Sequence, residues 1–265
     1  MSVRQLVRGS VPWETMEAVG AELAERYDRD PLWIEFLEAD NWLSTPCVAD
    51  REYFLKVISP RNALVHALFT GARNLGVFSS GSEGFFERFE DPGEMARHEL
   101  EATRQIRAVG VNAPEPIESF EVGDVGVVVL DYLDGFQRLD DLEADAVRGH
   151  VDELFDALST MHRNGLSHGD LRGENVLVYA GELYFIDATA VQDHAIPRAR
   201  AYDVASALGT LEPLIGAGEA VEAAAEAYGT DVLLDAVDFL DFVNIRPDHD
   251  FDAVAVKGEI NTVAS

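Results

Sequence analysis

Short apolar segments and two amphipathic helices make up the first half of the hydrophobic pattern. Residues 12–27 repeat apolar side chains at helical spacing. Residues 92–109 do the same after a start signal, in which Asp91 can cap the helix and Pro92 can begin it. The predicted strands are residues 32–37, 43–48, 53–58, 117–122 and 125–130.

The second half of the pattern is mostly helical from Leu139 onward. The exception is a strand pair at residues 176–179 and 183–186, around Ala180 and Gly181. Strands and helices are therefore segregated along the chain, which predicts an α+β fold and not the βαβ alternation of a Rossmann sheet. The predicted parts are a helical extension at 1–31, a strand-rich part at 32–131 with an insertion at 59–91, and a helical part at 132–265.

The composition excludes several classes of protein. With 47% hydrophobic residues the chain can form a core, yet its strongest apolar run, at 125–130, is far shorter than the ~18 residues that a bilayer span needs. Residues 1–10 lack the apolar stretch of a signal peptide. The single cysteine, Cys47, excludes an internal disulfide. These features predict a cytoplasmic protein that does not associate with membranes.

The charge of the chain is strongly negative. Twenty Lys and Arg stand against 49 Asp and Glu, a formal net charge of −29, and the acidic residues are spread along the whole chain. Lys56 and Lys257 are the only two Lys, so Arg supplies nearly every cation. Such acidity is typical of a halophilic protein, because molar salt shrinks the Debye length to about 3 Å and screens self-repulsion. Without that adaptation, the acidity argues against direct nucleic-acid binding, which needs positive charge for the phosphates.

The halophilic hypothesis makes a prediction about salt. We expect the melting temperature to rise steeply between low and molar KCl, because only concentrated salt relieves the repulsion among the excess carboxylates. Circular dichroism across a KCl series measures this directly. A melting temperature that stays flat over the series would remove the hypothesis.

The strongest chemical signal is the segment His168-Gly-Asp-Leu-Arg-Gly-Glu-Asn175. An Asp followed five residues later by an Asn on one loop can bring a carboxylate to an attacking hydroxyl and an amide oxygen to a metal ion. Asp187 follows at the end of a buried strand, where a carboxylate can hold Mg²⁺ against nucleotide phosphates. We predict Asp170 and Asn175 as catalytic residues, with Asn175 and Asp187 as metal ligands. The alternative is that Asp170 and Asn175 only form and cap the turn.

A second signal is a carboxylate on the apolar face of the 92–109 helix. Glu99 lies on that face, whereas Glu101 is turned by about 200° and should be exposed to solvent. An inward carboxylate costs several kcal/mol unless it is paired, and Lys56, within a buried strand pattern, is the predicted partner. The alternative is that each charge reaches water separately. The apolar face consists of Met95, Ala102, Ile106 and Val109.

The order of these residues along the chain resembles that of the protein-kinase-like superfamily: Lys56, Glu99, Asp170, Asn175 and Asp187. Lys56 resembles the lysine of its third strand, Glu99 its helix glutamate, and the segment Asp131-Tyr-Leu-Asp-Gly135 its hinge. Within the superfamily, His-Gly-Asp-Leu and the run from Glu99 to Ile117 are most similar to RIO-type atypical Ser/Thr kinases. The small kinase of the KEOPS complex, the Kdo-type lipopolysaccharide kinases and the aminoglycoside phosphotransferases are neighbours in this resemblance.

The resemblance implies a bilobal protein-kinase-like fold with ATP and Mg²⁺ as cofactors. Its N-lobe would hold an antiparallel sheet and one long helix, and its C-lobe would be mainly helical. His168 would brace the catalytic loop, and Asp203 would hold the backbone of that loop or else be a solvated helix residue. The residues implied at the nucleotide are Lys56, Glu99, Asp131, Leu133 and Asp187, and Lys56 is implied as a catalytic residue as well.

Three departures from the usual kinase pattern keep several functions open. Residues 38–45, before Lys56, lack a glycine, Asp187 precedes Ala-Thr instead of Phe-Gly, and Arg172 stands where Ser/Thr kinases carry Lys. The leading hypothesis is a RIO-like Ser/Thr protein kinase or ATPase, with a link to ribosome assembly that only the resemblance implies. One alternative is a small-molecule kinase for a sugar, an aminoglycoside or a lipid head group. Another is a non-catalytic nucleotide-binding pseudokinase module. The phosphate acceptor is not identified by the sequence.

Overall fold

The computed structural model describes residues 11–29, 32–37, 44–66, 89, 91–188, 196–246 and 249–265. These residues form two compact units. The first unit contains the described residues up to 66, together with 89, 91–104 and 114–134. The second unit contains residues 105–113 and the described residues from 135 to 265.

A five-stranded antiparallel sheet forms the first unit, with the strand order β1-β2-β3-β5-β4. Its strands coincide with the five predicted segments, because β-branched and aromatic residues alternate there between turn residues. One of these turns, between β4 and β5, contains Gly123 with a positive φ of 61°. The strands are β1 (Ile34–Phe36), β2 (Thr45–Ala49), β3 (Tyr53–Ile58), β4 (Pro116–Val122) and β5 (Val125–Asp131).

One face of this sheet packs against the N-terminal helix α1 (Trp13–Tyr27). Leu55 and Val57 of β3 belong to this core. Because successive side chains of a strand point to opposite faces, Lys56 between them points to the other face. The residues that α1 buries in this core are Met16, Val19 and Leu23.

The helix that carries Glu99 is α2 (Pro92–Ala108). It begins as predicted, since the backbone N–H of Glu94 donates to Asp91 Oδ1 at 2.8 Å. Gly126 of β5 allows its first residue to approach the sheet: a Cβ at Gly126 would lie 2.1 Å from the carbonyl oxygen of Pro92. This close approach fixes the start of α2 against the strand next to β3.

The second unit is mainly helical, with one small antiparallel sheet in the order β6-β7-β8. A 3-10 turn at Gly173–Asn175 leads directly into β7. The strands are β6 (Gln137–Arg138), β7 (Val176–Tyr179) and β8 (Glu182–Phe185). The helices are α3 (Ala144–Arg148), α4 (Val151–Arg163), α5 (Ile196–Ile215), α6 (Ala217–Tyr228), α7 (Thr230–Ile245) and α8 (Ala253–Val263).

The predicted segregation into a strand-rich and a helix-rich part is confirmed. Of the predicted insertion at 59–91, residues 60–66 are helical, while most of the remainder lies outside the described residues. The glycine-free stretch at 38–43 lies outside them as well. None of the helices that the structure describes combines the length and the apolarity needed to cross a bilayer.

Candidate active site

Lys56 and Glu99 form an ion pair in the first unit. Lys56 Nζ lies 2.5 Å from Glu99 Oε1, and the two side chains are 5% and 20% exposed. The β3 register places Lys56 between Pro46 of β2 and Val128 of β5, and the contact with Glu99 shows that its side chain points to the face of the sheet on which α2 lies. The pairing inferred from the apolar face of the helix is therefore present in the structure.

The buried face of α2 is slightly rotated from the predicted one. Ala96, Leu100 and Thr103 are buried, so Glu99 lies at the edge of the buried face and not at its centre. Glu101 is exposed, as predicted, and its carboxylate is 3.9 Å from the guanidinium of Arg104. Glu99 keeps partial access to solvent because of this rotation, while Lys56 does not.

The predicted hinge follows β5 in the first unit. The backbone N–H of Asp131 donates to the carbonyl of Glu115 at 2.9 Å, and that of Tyr132 donates to the carbonyl of Glu52 at 2.9 Å. Leu133 is buried, whereas the side chain of Asp131 is exposed. The nucleotide-binding role of Asp131 and Leu133 stays a prediction.

The loop with the His-Gly-Asp motif is held by one buried carboxylate in the second unit. Asp203, on α5, is 0% exposed. Its two oxygens accept the backbone N–H groups of His168 and Gly169, each at 2.7 Å. Asp203 is therefore not a solvated helix residue, and the geometry matches the support that the resemblance implied for it.

Two further side chains extend this support. His162 Nε2 lies 3.0 Å from Asp203 Oδ2, and the hydroxyl of Tyr228 lies 2.7 Å from His162 Nδ1. Burial, together with the negative charge of Asp203, raises the pKa of Tyr228 above its ordinary value, so the hydroxyl stays protonated and can donate. The Asp203 carboxylate can only accept, so His162 Nε2 donates to it, and in the neutral imidazole Nδ1 is the acceptor for the Tyr228 hydroxyl.

His168 is fully buried beside this carboxylate. Burial is the main cause that lowers the pKa of the His168 imidazole, against the opposing effect of Asp203 and Asp170. A neutral imidazole can accept at one nitrogen, and the backbone N–H of Asp170 lies 3.4 Å from His168 Nδ1. This arrangement favours a bracing role for His168 over proton transfer.

The carboxylate of Asp170 contacts two guanidinium groups. Arg246 Nη2 lies 2.7 Å from Asp170 Oδ1, and Arg172 Nη2 lies 3.2 Å from Oδ2. Arg172 also binds Glu174. These contacts offset the charge of Asp170 locally. Arg172, which stands where Ser/Thr kinases carry Lys, therefore lies directly at the predicted catalytic carboxylate.

Asn175 and Asp187, the predicted metal ligands, are connected through the backbone. The N–H of Ile186 donates to the carbonyl of Asn175 at 3.0 Å, and Asp187 follows with a left-handed φ of 62°. Asn175 Nδ2 donates to the carbonyl of Asp170 at 2.8 Å, so the amide oxygen Oδ1 faces away from that carbonyl. One amide oxygen and one carboxylate are a donor set that suits Mg²⁺, which takes its other ligands from phosphates and water.

No group of three or more His, Cys, Asp or Glu that could hold a metal occurs in the part of the chain that the structure describes.

Sequence reasoning missed four residues of this network. His162 carries the clearest signal, because it is a polar residue on the buried stripe of α4 formed by residues such as Leu158 and Met161. Tyr202, Tyr228 and Arg246 carry none, since their partners lie tens of residues away along the chain.

Two comparisons decide the fold. A RIO domain family model matches residues 92–203, which run from the start of α2 to Asp203 and exclude Lys56. The putative fructosamine-3-kinase from Haemophilus somnus 129PT superposes with a TM-score of 0.50, covering 94% of this chain and 98% of that chain at 10% identity. The chain has the protein-kinase-like fold, with RIO-type similarity. The predicted resemblance and the predicted fold class are confirmed.

Other relatives of this kinase-like chain are more distant or cover less. A probable bifunctional tRNA threonylcarbamoyladenosine biosynthesis protein from Methanothermobacter thermautotrophicus is 32% identical over 92 residues. That match covers 34% of this chain but only 16% of the relative. The Cydia pomonella granulovirus kinase PK-1 has a TM-score of 0.38 at 18% identity, covering 68% of this chain and 57% of that chain.

Proposed function

We propose that this chain is an ATP-dependent phosphotransferase or ATPase of RIO-like type that uses Mg²⁺. The observation that carries the proposal is the loop of the second unit, where Asn175 donates to the carbonyl of Asp170 and its own carbonyl accepts the N–H of Ile186, the residue before Asp187. Asp203 holds this loop from a fully buried position. The RIO domain match includes all four residues, which supports the same reaction class.

Each residue would have a distinct part in the reaction. Lys56, oriented by Glu99, would bind the α- and β-phosphates, and Asp131 and Leu133 would contribute to nucleotide binding. Asp170 would orient the attacking hydroxyl or water, while Asn175 and Asp187 would hold the metal. Bound Mg²⁺ supplies neutralisation of the phosphate charge. Catalysis would then consist mainly of positioning and charge stabilisation.

The proposal is tested with radiolabelled ATP and purified protein in high salt. We expect Mg²⁺-dependent release or transfer of the label by the wild-type protein. Asp170→Asn should retain Mg²⁺-dependent ATP binding and slow the transfer about 100-fold to 10,000-fold, because it removes an orienting carboxylate but no metal ligand. Asp187→Asn should lose ATP binding and turnover together, because it removes a ligand of the metal.

Asp235, an exposed carboxylate on α7, provides the matched control. Asp235→Asn should behave as the wild type in binding and in turnover. If the wild-type protein binds ATP but turns none over with any acceptor offered, the chain is a pseudokinase module. Loss of ATP binding in Asp170→Asn as complete as in Asp187→Asn would contradict the assignment of roles.

The destination of the label separates the candidate acceptors. Label on a protein supports the Ser/Thr kinase, label on a sugar, aminoglycoside or lipid head group supports the small-molecule kinase, and free phosphate alone supports the ATPase. A part in tRNA threonylcarbamoyladenosine biosynthesis is a second candidate, which the 32% identity to the Methanothermobacter protein favours. Stimulation of ATP hydrolysis by added tRNA would support it, and an unchanged rate would speak against it.

A further inference from the structure

Arg246 binds the predicted catalytic carboxylate from a distant part of the chain. Its Nη2 donates to Asp170 Oδ1 at 2.7 Å across 76 positions of sequence. Both side chains are only 11% exposed. A charge-assisted hydrogen bond with so little access to solvent is stronger than a surface ion pair and loses less to screening.

A second contact anchors the guanidinium of Arg246 at its other end. Arg246 Nη1 donates to the hydroxyl of Tyr202 at 2.5 Å. Tyr202 is fully buried on α5, where its ring packs edge-on against Phe239 of α7 at a centroid distance of 5.9 Å. Arg246 itself directly follows α7, and its backbone N–H bonds to the carbonyl of Val243. The guanidinium therefore has a fixed position between the helical core and the loop.

This fixed position restricts the Asp170 carboxylate. The terminal torsion of an Asp side chain is broad, so a carboxylate without a fixed donor samples many orientations. Arg246 donates to Oδ1, while Arg172 Nη2 lies 3.2 Å and Asn175 Nδ2 lies 3.5 Å from Oδ2. Contacts on both oxygens hold the carboxylate in one orientation, which is what a group that receives the proton of an attacking hydroxyl needs.

We propose that Arg246 is a positioning residue for phosphotransfer, which acts by fixing the orientation of the Asp170 carboxylate. This inference rests on the proposed function, since it assigns a task to Asp170 in the reaction. Arg is the usual cation of this chain, so the residue type alone carries no argument. The two contacts of Arg246 and the burial of the pair instead indicate this role, because together they hold the carboxylate in one orientation.

Steady-state kinetics of Arg246→Gln test the proposal. We expect kcat to fall about tenfold to 100-fold while KM for ATP changes less than about threefold, because a misplaced reacting group slows the chemical step and leaves nucleotide binding intact. Arg246→Lys should restore part of the lost kcat, since an ammonium can still reach Asp170 Oδ1 but not Tyr202 at the same time. Wild-type kcat in Arg246→Gln, at an unchanged melting temperature, would overturn the proposal.

The matched control is Arg148, an exposed arginine of the same unit. Like Arg246 it has two partners, but both are carboxylates: Glu219 at 2.6 Å and Asp145 at 2.7 Å. Arg148→Gln should keep the wild-type kcat and KM. An equal loss in Arg148→Gln would mean that lost positive charge, and not a lost contact to Asp170, explains the effect.

A double-mutant cycle separates this inference from the proposed function. If Arg246 acts through Asp170, adding Arg246→Gln to Asp170→Asn should cause little further loss of kcat, whereas multiplying losses would overturn the inference while leaving the proposed function intact. If the wild-type protein shows no turnover, the proposed function fails and the catalytic part of the inference fails with it. The contact is then still tested by the melting temperatures of the same variants. A decrease in the double variant that equals the sum of the decreases in the two single variants would show that Arg246 and Asp170 are not coupled.

Discussion

Replacement of Lys56 by Arg is expected to remove most of the turnover while the protein stays folded. The change retains the positive charge but replaces a compact ammonium by a broad planar guanidinium. Because the Lys56 side chain is only 5% exposed and its ammonium already contacts Glu99 Oε1 at 2.5 Å, there is little room for the larger group. We expect a loss of about 100-fold to 1,000-fold in kcat, the size typical for a lost or misplaced electrostatic contact in a transition state.

The composition of the chain makes this substitution informative. Eighteen of the twenty basic residues are Arg, so Arg is the usual cation of this chain, and the other Lys, Lys257, lies at a more exposed position in an ion pair with Asp241. A Lys at position 56 therefore indicates a site where Arg does not fit. Lys56→Met should lose turnover to a similar extent, because it removes the charge that the phosphates need.

Two glutamates of α2 supply the matched comparison. Glu99→Gln should weaken turnover less than Lys56→Arg, because it loosens the hold on Lys56 without removing the ammonium. Glu101→Gln should change almost nothing, since Glu101 is exposed and ion pairs of exposed side chains contribute little. Turnover and melting temperature of all four variants are measured at one salt concentration. Wild-type turnover in Lys56→Arg, or equal losses at Glu99 and Glu101, would contradict the assignment of this pair to the site.

Helix α2, which carries Glu99 and Glu101, shows how much of a structure a local sequence pattern predicts. Its start at Pro92, the exposure of Glu101 and the inward position of Glu99 all followed from spacing and capping, since these depend only on residues a few positions apart. The rotation of its buried face toward Leu100 did not follow. That rotation depends on packing against the sheet, where Gly126 admits the helix start, and such a contact has no local signal.

The loop of the second unit likewise contains residues that the sequence predicts and has a partner that it does not predict. Asp170, Asn175 and Asp187 were predicted because their chemistry requires fixed spacings along the sequence. Arg246 was not, since it reaches Asp170 only after α5 and α7 have packed together. An arginine at the end of an acidic helix has the same sequence signature whether it faces solvent or a buried carboxylate. Long-range partners of this kind depend on tertiary packing, and periodicity does not encode them.

Replacement of Asp203 by Ala is expected to cause a large loss of stability in the second unit. Asp203 accepts three hydrogen bonds at a position that is 0% exposed, from the backbone N–H groups of His168 and Gly169 and from His162. Removal of the carboxylate leaves three donors without an acceptor, and each unsatisfied buried donor costs about 1–3 kcal/mol. Breaking a buried charged network typically costs about 3–5 kcal/mol in total, a large part of the stability of an ordinary domain.

The order of related variants distinguishes a lost network from a lost charge. Asp203→Asn keeps the shape and one acceptor oxygen but turns an amide N–H₂ toward a donor, so it should cost less than Asp203→Ala and more than Tyr228→Phe. Tyr228→Phe removes one hydrogen bond to His162 and should cost about 1 kcal/mol. Asp235→Ala, an exposed carboxylate on α7, should leave the free energy of unfolding within about 0.5 kcal/mol of the wild type.

Urea unfolding in high salt measures the four free energies of unfolding under one condition. A loss in Asp203→Ala no larger than that in Asp235→Ala would show that the three hydrogen bonds contribute nothing to stability. Turnover of the folded Asp203→Asn protein tests function as well, because Asp203 binds the backbone of His168 and Gly169, the two residues before Asp170. We therefore expect a larger fold-decrease in kcat than in the affinity for ATP for Asp203→Asn. This difference would show that the hydrogen bonds of Asp203 to the loop serve the chemical step.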